Sequence, residues 1–163
     1  MNMLEKKSNF DPERLRSAKQ LKADEGFEPY PVSTGDELYP NGIFEFNISK
    51  IIKDVENDPD KFGLCEIFVG DFPGGLSTIN EAHLESVDIS RPVILAEISP
   101  GRYNVIDGNH RMEKARRLKM NAISAYQLDV TQHLKYLTSK KAYFAYIRYW
   151  NEKVQQIRSQ NRK

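Results

Sequence analysis

The residues best suited to chemistry in this 163-residue chain lie in one run, Val105-Ile106-Asp107-Gly108-Asn109-His110-Arg111, continued by Met112-Glu113-Lys114-Ala115-Arg116-Arg117-Leu118. A carboxylate, a carboxamide, an imidazole and a guanidinium fall where an apolar strand ends at Ile106 and an amphipathic helix begins. The first turn of a helix presents unpaired N–H groups and a partial positive charge, so such a junction suits an anion, phosphate above all. Gly108 supplies the backbone angle of a sharp turn, and Asp107 or Asn109 can cap the helix. A capped turn alone accounts for Gly108 and one neighbour. It leaves His110 and Arg111, side by side in the first turn, without a structural duty.

The elements that must hold this junction can be read on either side of it. Pro92–Ile98 and Arg102–Ile106 are strands joined by Ser99-Pro100-Gly101, with proline and glycine spaced for a type II turn. The motif helix is predicted from Asn109 to about Lys119, with Met112, Ala115 and Leu118 on its buried face, and Ala122–Leu128 is the next strand. Upstream, Asp11-Pro12-Glu13 starts a helix expected to reach about Ala23, after polar residues 1–10 that read as a frayed end. Prolines 29, 31 and 40 with Gly35 and Gly42 describe an extended connector over 27–42. Ile43–Phe46 reads as a strand. Ile48 to about Asn57 is a helix with Ile48, Ile51, Ile52 and Val55 on one face, and Leu64–Val69 is a strand. Gly70–Gly75 is a loop placed to gate entry to a site. Thr78-Ile79-Asn80-Glu81 has capping-box spacing before a short helix ending near Ser86. From Thr131 the chain reads as helix nearly to its end, with a break at Thr138-Ser139.

Asp-Gly-Asn-His-Arg in this strand–turn–strand–turn–helix–strand setting resembles the signature of the ParB/sulfiredoxin superfamily, whose members carry variants such as D-G-H-H-R, G-E-R-R or G-C-H-R here. The resemblance covers about Arg91 to Asp129, roughly a quarter of the chain. It implies an α/β (α+β) fold: a small mixed sheet with flanking helices, to which the long C-terminal helix is added. It also implies that Gly108, Asn109, His110 and Arg111 cradle the phosphates of a nucleotide (ATP, ADP or CTP, with Mg2+), Arg111 being the main charged contact. Arginine suits that role because its planar fork pairs with two phosphate oxygens. Branches of the superfamily differ in chemistry. Sulfiredoxins place their reactive cysteine where this chain has Asn109, so sulfinic acid repair is excluded. ParB proteins bind and hydrolyse CTP with two arginines that correspond to His110 and Arg111, and only the second is kept. The D-G-H-H-R branch includes ADP-dependent free-serine kinases, in which the motif aspartate takes part in phosphoryl transfer. Asp107 stands in that place, as a candidate catalytic residue and magnesium ligand. Those kinases also use a glutamate in a Pro-His-Glu segment that this chain lacks, and Glu81, near His83, is the nearest substitute by position. Glu81 reads more readily as a capping-box residue.

Composition sets the remaining bounds. The length suits one domain with a proper core, here divided into an N-terminal helix and extended arm (1–42), a core (43–129) and a basic, aromatic C-terminal helix packed on it (130–163). No apolar run is long enough to span a membrane, and Met1–Lys7 lacks the apolar stretch of a secretory signal, so a cytoplasmic location is expected. The single cysteine, Cys65, excludes an intrachain disulfide and reads as a small strand residue. The net charge of +1 hides an asymmetry: residues 131–163 hold eight Lys or Arg and one acid, Glu152, a net +7, against 16 basic and 22 acidic residues, a net −6, in 1–130. This points either to internal complementarity or to a polyanionic partner. In the last helix Tyr143, Tyr146, Ile147, Trp150, Val154 and Ile157 share a face, the pattern of core or of a homodimer seam. Three functions therefore stand open: a nucleotide-binding protein with NTPase or phosphotransferase chemistry; a DNA-binding or ParB-like nuclease protein that uses the basic helix; and a non-catalytic interaction module.

Overall fold

The computed structural model describes residues 5–42, 44–72 and 79–161. In chain order the elements are β1 (Lys6–Lys7), α1 (Pro12–Ser17), β2 (Leu38–Asn41), β3 (Phe44–Asn47), α2 (Ile48–Asn57), β4 (Gly63–Phe68), α3 (Glu81–Ser86), β5 (Val93–Ser99), β6 (Arg102–Asp107), α4 (Asn109–Arg117), β7 (Ala122–Leu128), α5 (Val130–His133) and α6 (Lys140–Asn161). Five strands form a mixed sheet in the order β1-β4-β7-β5-β6, and β2 and β3 form a separate antiparallel pair. β5 pairs antiparallel with β6 and parallel with β7, so α4 carries the chain from β6 back across β5 to β7. The fold is the mixed α/β arrangement expected, with flanking helices and a long C-terminal helix.

Both faces of the sheet are covered where β5 runs. Val93 and Leu95 join Cys65, Ile67, Met112, Ala115, Ile123 and Ala125 under α4. Ile94 and Ala96 join Ile48, Ile51 and Val55 of α2, together with Tyr146 and Trp150 of α6, on the opposite face. That two-sided cover is why Val93–Ala96 of β5 reads as a continuous apolar run rather than an alternating one. α2 forms where its spacing puts it: Asn47 caps it by accepting the Lys50 N–H at 3.1 Å, and Ile48, Ile51 and Val55 are buried. In the β5–β6 turn, Gly101 takes the left-handed angle (φ 74°) that a type II turn requires.

Several expectations are corrected. The first helix stops at Ser17 rather than near Ala23, because side chains of α6 capture the following backbone. Trp150 Nε1 donates to the Lys19 carbonyl at 2.9 Å, and Asn151 both accepts the Leu21 N–H at 2.6 Å and donates to the Leu21 carbonyl at 2.9 Å. The Tyr143 hydroxyl accepts the Asp24 N–H, and Phe27 stacks on the Tyr143 ring at 3.9 Å. Residues 5–10 are not a frayed end: β1 pairs with β4, and Tyr103 donates its N–H to the Asn9 carbonyl. The 27–42 connector contains β2, whose Pro40 sits in a two-stranded pair that leaves a strand edge open to it. Leu118 is 58 % exposed instead of buried, since the helix ends at Arg117 and Lys119 turns the chain in the left-handed region (φ 57°). The aromatic stripe of α6 faces inward, with Tyr143, Tyr146, Ile147, Trp150 and Val154 all in the chain's own core.

One buried charge was not foreseen. Glu97, in the middle of the apolar β5 run, is wholly buried and accepts from Arg14 Nε (3.1 Å) and Nη2 (2.5 Å) and from the backbone N–H of Gly101 and Val130. That pairing raises the Arg14 guanidinium above its ordinary range. Beside it, His133 is fully buried with Nε2 2.6 Å from the Glu97 carbonyl, and burial lowers its pKa to about 4.

Candidate functional site

The β6–α4 junction is built on Gly108. It is the N-cap of α4, held at φ 100°, and no side chain caps the helix; Asp107 closes β6 and Asn109 opens the helix, so neither is the cap that the spacing suggested. A Cβ at position 108 would lie 2.6 Å from Val93 Cγ1 and 3.1 Å from Arg111 Cζ. Glycine is required both by the angle and by the close approach of β5. With no capping side chain, the N–H groups of Asn109, His110 and Arg111 keep the orphan state of any helix start.

Arg111 does not project freely. Its Nη2 donates to Asp107 Oδ2 at 2.8 Å, and its Nη1 donates to the carbonyls of Arg91 at 3.2 Å and Pro92 at 2.5 Å. The two side chains are 12 % and 14 % exposed. The guanidinium thus staples the entry of β5 to the exit of β6, a structural duty that sequence reasoning did not assign to it. Two of its five N–H groups, that of Nε and one of Nη2, are left over among the described residues.

Asp107 and Arg111 form one end of a cavity of about 250 Å³ between α2 and the sheet. Ile52 and Val55 of α2, Ile94 of β5 and Tyr126 of β7 line its apolar side, and Glu56 and Arg91 complete its charged part. Arg91 Nη2 and Glu56 Oε1 are 3.9 Å apart and well exposed, a loose pair that water screens. Glu56, Arg91 and Tyr126 lie in separate elements with no shared motif. The sequence held no local sign of their meeting.

The motif divides across the sheet. His110 turns away from the cavity toward α3, where its Nε2 accepts the Asn80 N–H at 3.0 Å and its ring meets that of His83 edge to face at 4.9 Å. Asn109 has no side-chain hydrogen bond among the described residues. Glu81 lies on α3 and pairs through both oxygens with Arg117, at 2.6 and 2.8 Å, which holds its carboxyl below the ordinary range. It is not among the residues lining the cavity. The cap of α3 is Asn80, accepting from Ala82 and His83; Thr78 and residues 73–75 of the Gly70–Gly75 loop lie outside the described residues.

Among the described residues no three of His, Cys, Asp and Glu converge as a metal set. Asp107 is one carboxylate with an oxygen already held by Arg111, so these residues do not fit a protein-built magnesium site. In the basic C-terminal helix, Lys140 pairs with Glu28 at 2.7 Å and Lys153 lies over the Tyr149 ring at 5.6 Å. Part of the charge asymmetry is therefore met within the chain. No family model matches the chain, and neither a curated protein nor a solved structure matches it.

Proposed function

We propose that the chain binds a nucleotide or a related phosphate ester in the cavity beside Asp107 and Arg111, in keeping with the resemblance of Asp107–Arg111 to the ParB/sulfiredoxin signature. The observation that carries this reading is the composition of that cavity: a largely apolar slot whose lining includes two arginines, Arg91 and Arg111. Arg111 is pre-oriented by Asp107 and two carbonyls and has N–H groups to spare. Arg91 is only loosely tied to Glu56, so a phosphate can recruit it at little cost. The ring of Tyr126 with Ile52, Val55 and Ile94 offers the apolar surface that a base or sugar needs. At about 250 Å³ the slot lies just below the ~300–1,000 Å³ range of small-molecule sites, so part of a nucleotide would extend past its mouth.

Any phosphoryl transfer at this site would rest on positioning and charge neutralisation, because that transition state asks little covalent chemistry of the protein. Asp107 and Glu56 are the two carboxylates on the cavity, and Glu56 takes the place that position in the sequence suggested for Glu81. The test is calorimetry and thermal shift with ATP, ADP and CTP, with and without magnesium. A ligand that binds the folded state raises the melting temperature. Saturable binding that disappears in Arg91→Glu supports the reading. Wild-type protein that shows neither heat nor a thermal shift with all three nucleotides overturns it.

A further inference from the structure

We propose that His110 is a proton-operated latch between α4 and the start of α3. This goes beyond the reading of the cavity and does not rest on it, since His110 faces the other way. In the structure His110 Nε2 accepts the Asn80 N–H. An imidazole that accepts at Nε2 is neutral and carries its proton on Nδ1; the imidazolium has two donors and no acceptor. Protonation therefore sets N–H against N–H and breaks the contact.

The surroundings add to this sensitivity. The His83 ring, 4.9 Å away on α3, is a second group that gains positive charge in acid. His110 sits in the first turn of α4, where the helix dipole opposes a cation. The carboxylates nearby are already matched by arginines: Asp107 by Arg111, Glu113 by Arg116 and Arg117, and Glu81 of α3 by Arg117. Lys114, one turn along α4, is a further cation and donates to the Glu85 and Val87 carbonyls. Glu85 is the remaining carboxylate on these two helices.

Asn80 caps α3 through its side-chain Oδ1, so releasing its N–H frees the backbone leading into the helix while the cap itself stays in place. Lys114 still ties down the far end, and Arg117 keeps Glu81. The device thus moves the residues at the head of α3 without dismantling the α3–α4 packing.

The experiment is a heteronuclear NMR titration of the whole chain from pH 8 to pH 5, following the Asn80 backbone amide and the His110 ring together. The expected result is a single shared midpoint for both signals. The His110→Gln variant, whose side-chain carbonyl can accept the same N–H and does not titrate, should leave the Asn80 amide flat across the range. An Asn80 amide that stays still in the wild type while His110 titrates overturns the latch, and so does one that moves equally in His110→Gln.

Discussion

Arg14 grips the carboxylate of Glu97 across 83 residues of sequence, Nε on one oxygen and Nη2 on the other. The acid is completely buried while the base is 39 % exposed. This asymmetry decides which partner matters more when removed. Without Arg14, Glu97 keeps the N–H groups of Gly101 and Val130 but loses its counter-charge in the core. We expect Arg14→Leu to lower stability by about 2–3 kcal/mol, below the full cost of orphaning a buried ion because water can reach the vacated side. Urea unfolding of the variant against wild type measures it.

His133 makes stability fall in acid. Its folded pKa of about 4 lies below the ordinary histidine value of about 6.5, so the unfolded chain binds the proton first. The stabilisation is whole above the unfolded value and is lost as pH falls from about 6.5 toward 4. The slope approaches ~1.4 kcal/mol per pH unit within that window. Subtracting the pH profile of His133→Phe from that of wild type isolates this share, and a difference flat between pH 7 and 4.5 would contradict it.

Gly108→Ala is expected to be costly, and its methyl would also press on the Arg111 guanidinium. The substitution forces a left-handed angle on alanine and drives a methyl into Val93. Together these are worth more than about 2 kcal/mol. The melting temperature should drop, and α4 should exchange its amide hydrogens faster.

Two arginines on the same cavity should separate under mutation. Arg91→Glu leaves the fold within about 0.5 kcal/mol of wild type, as a well-exposed position does, while removing nucleotide binding. Arg111→Lys should cost both stability and binding, because an ammonium cannot span Asp107 and two carbonyls in the geometry of a planar fork. Denaturant midpoints and calorimetry on the two variants distinguish a staple from a surface contact.

Much of the architecture is legible along the chain because periodicity records which face of an element is buried. α2 and β7 fall on the residues their spacing predicts, and the strand–turn–helix at Asp107–Arg111 is where its glycine says it is. What escaped depends on partners distant in sequence. The helix beginning at Pro12 reads as long until Trp150 and Asn151 offer its backbone other hydrogen bonds. Glu97 is one acid in an apolar strand, and only Arg14 explains it. The i,i+4 spacing of Asp107 and Arg111 was visible, yet the carbonyls of Arg91 and Pro92 that complete the arginine's grip lie just before β5, far from them in sequence. The candidate site shows the same division: its motif residues were named from sequence, whereas Glu56, Arg91 and Tyr126 required the fold.

The capture of the N-terminal segment by α6 also sets an order of assembly. Residues 19–24 emerge from the ribosome roughly 120–130 residues ahead of Tyr143, Trp150 and Asn151, the side chains that seat them. During synthesis this segment therefore waits, its backbone bonded to water, until α6 has been made. Residues 19–24 take their places only once α6 is present to seat them.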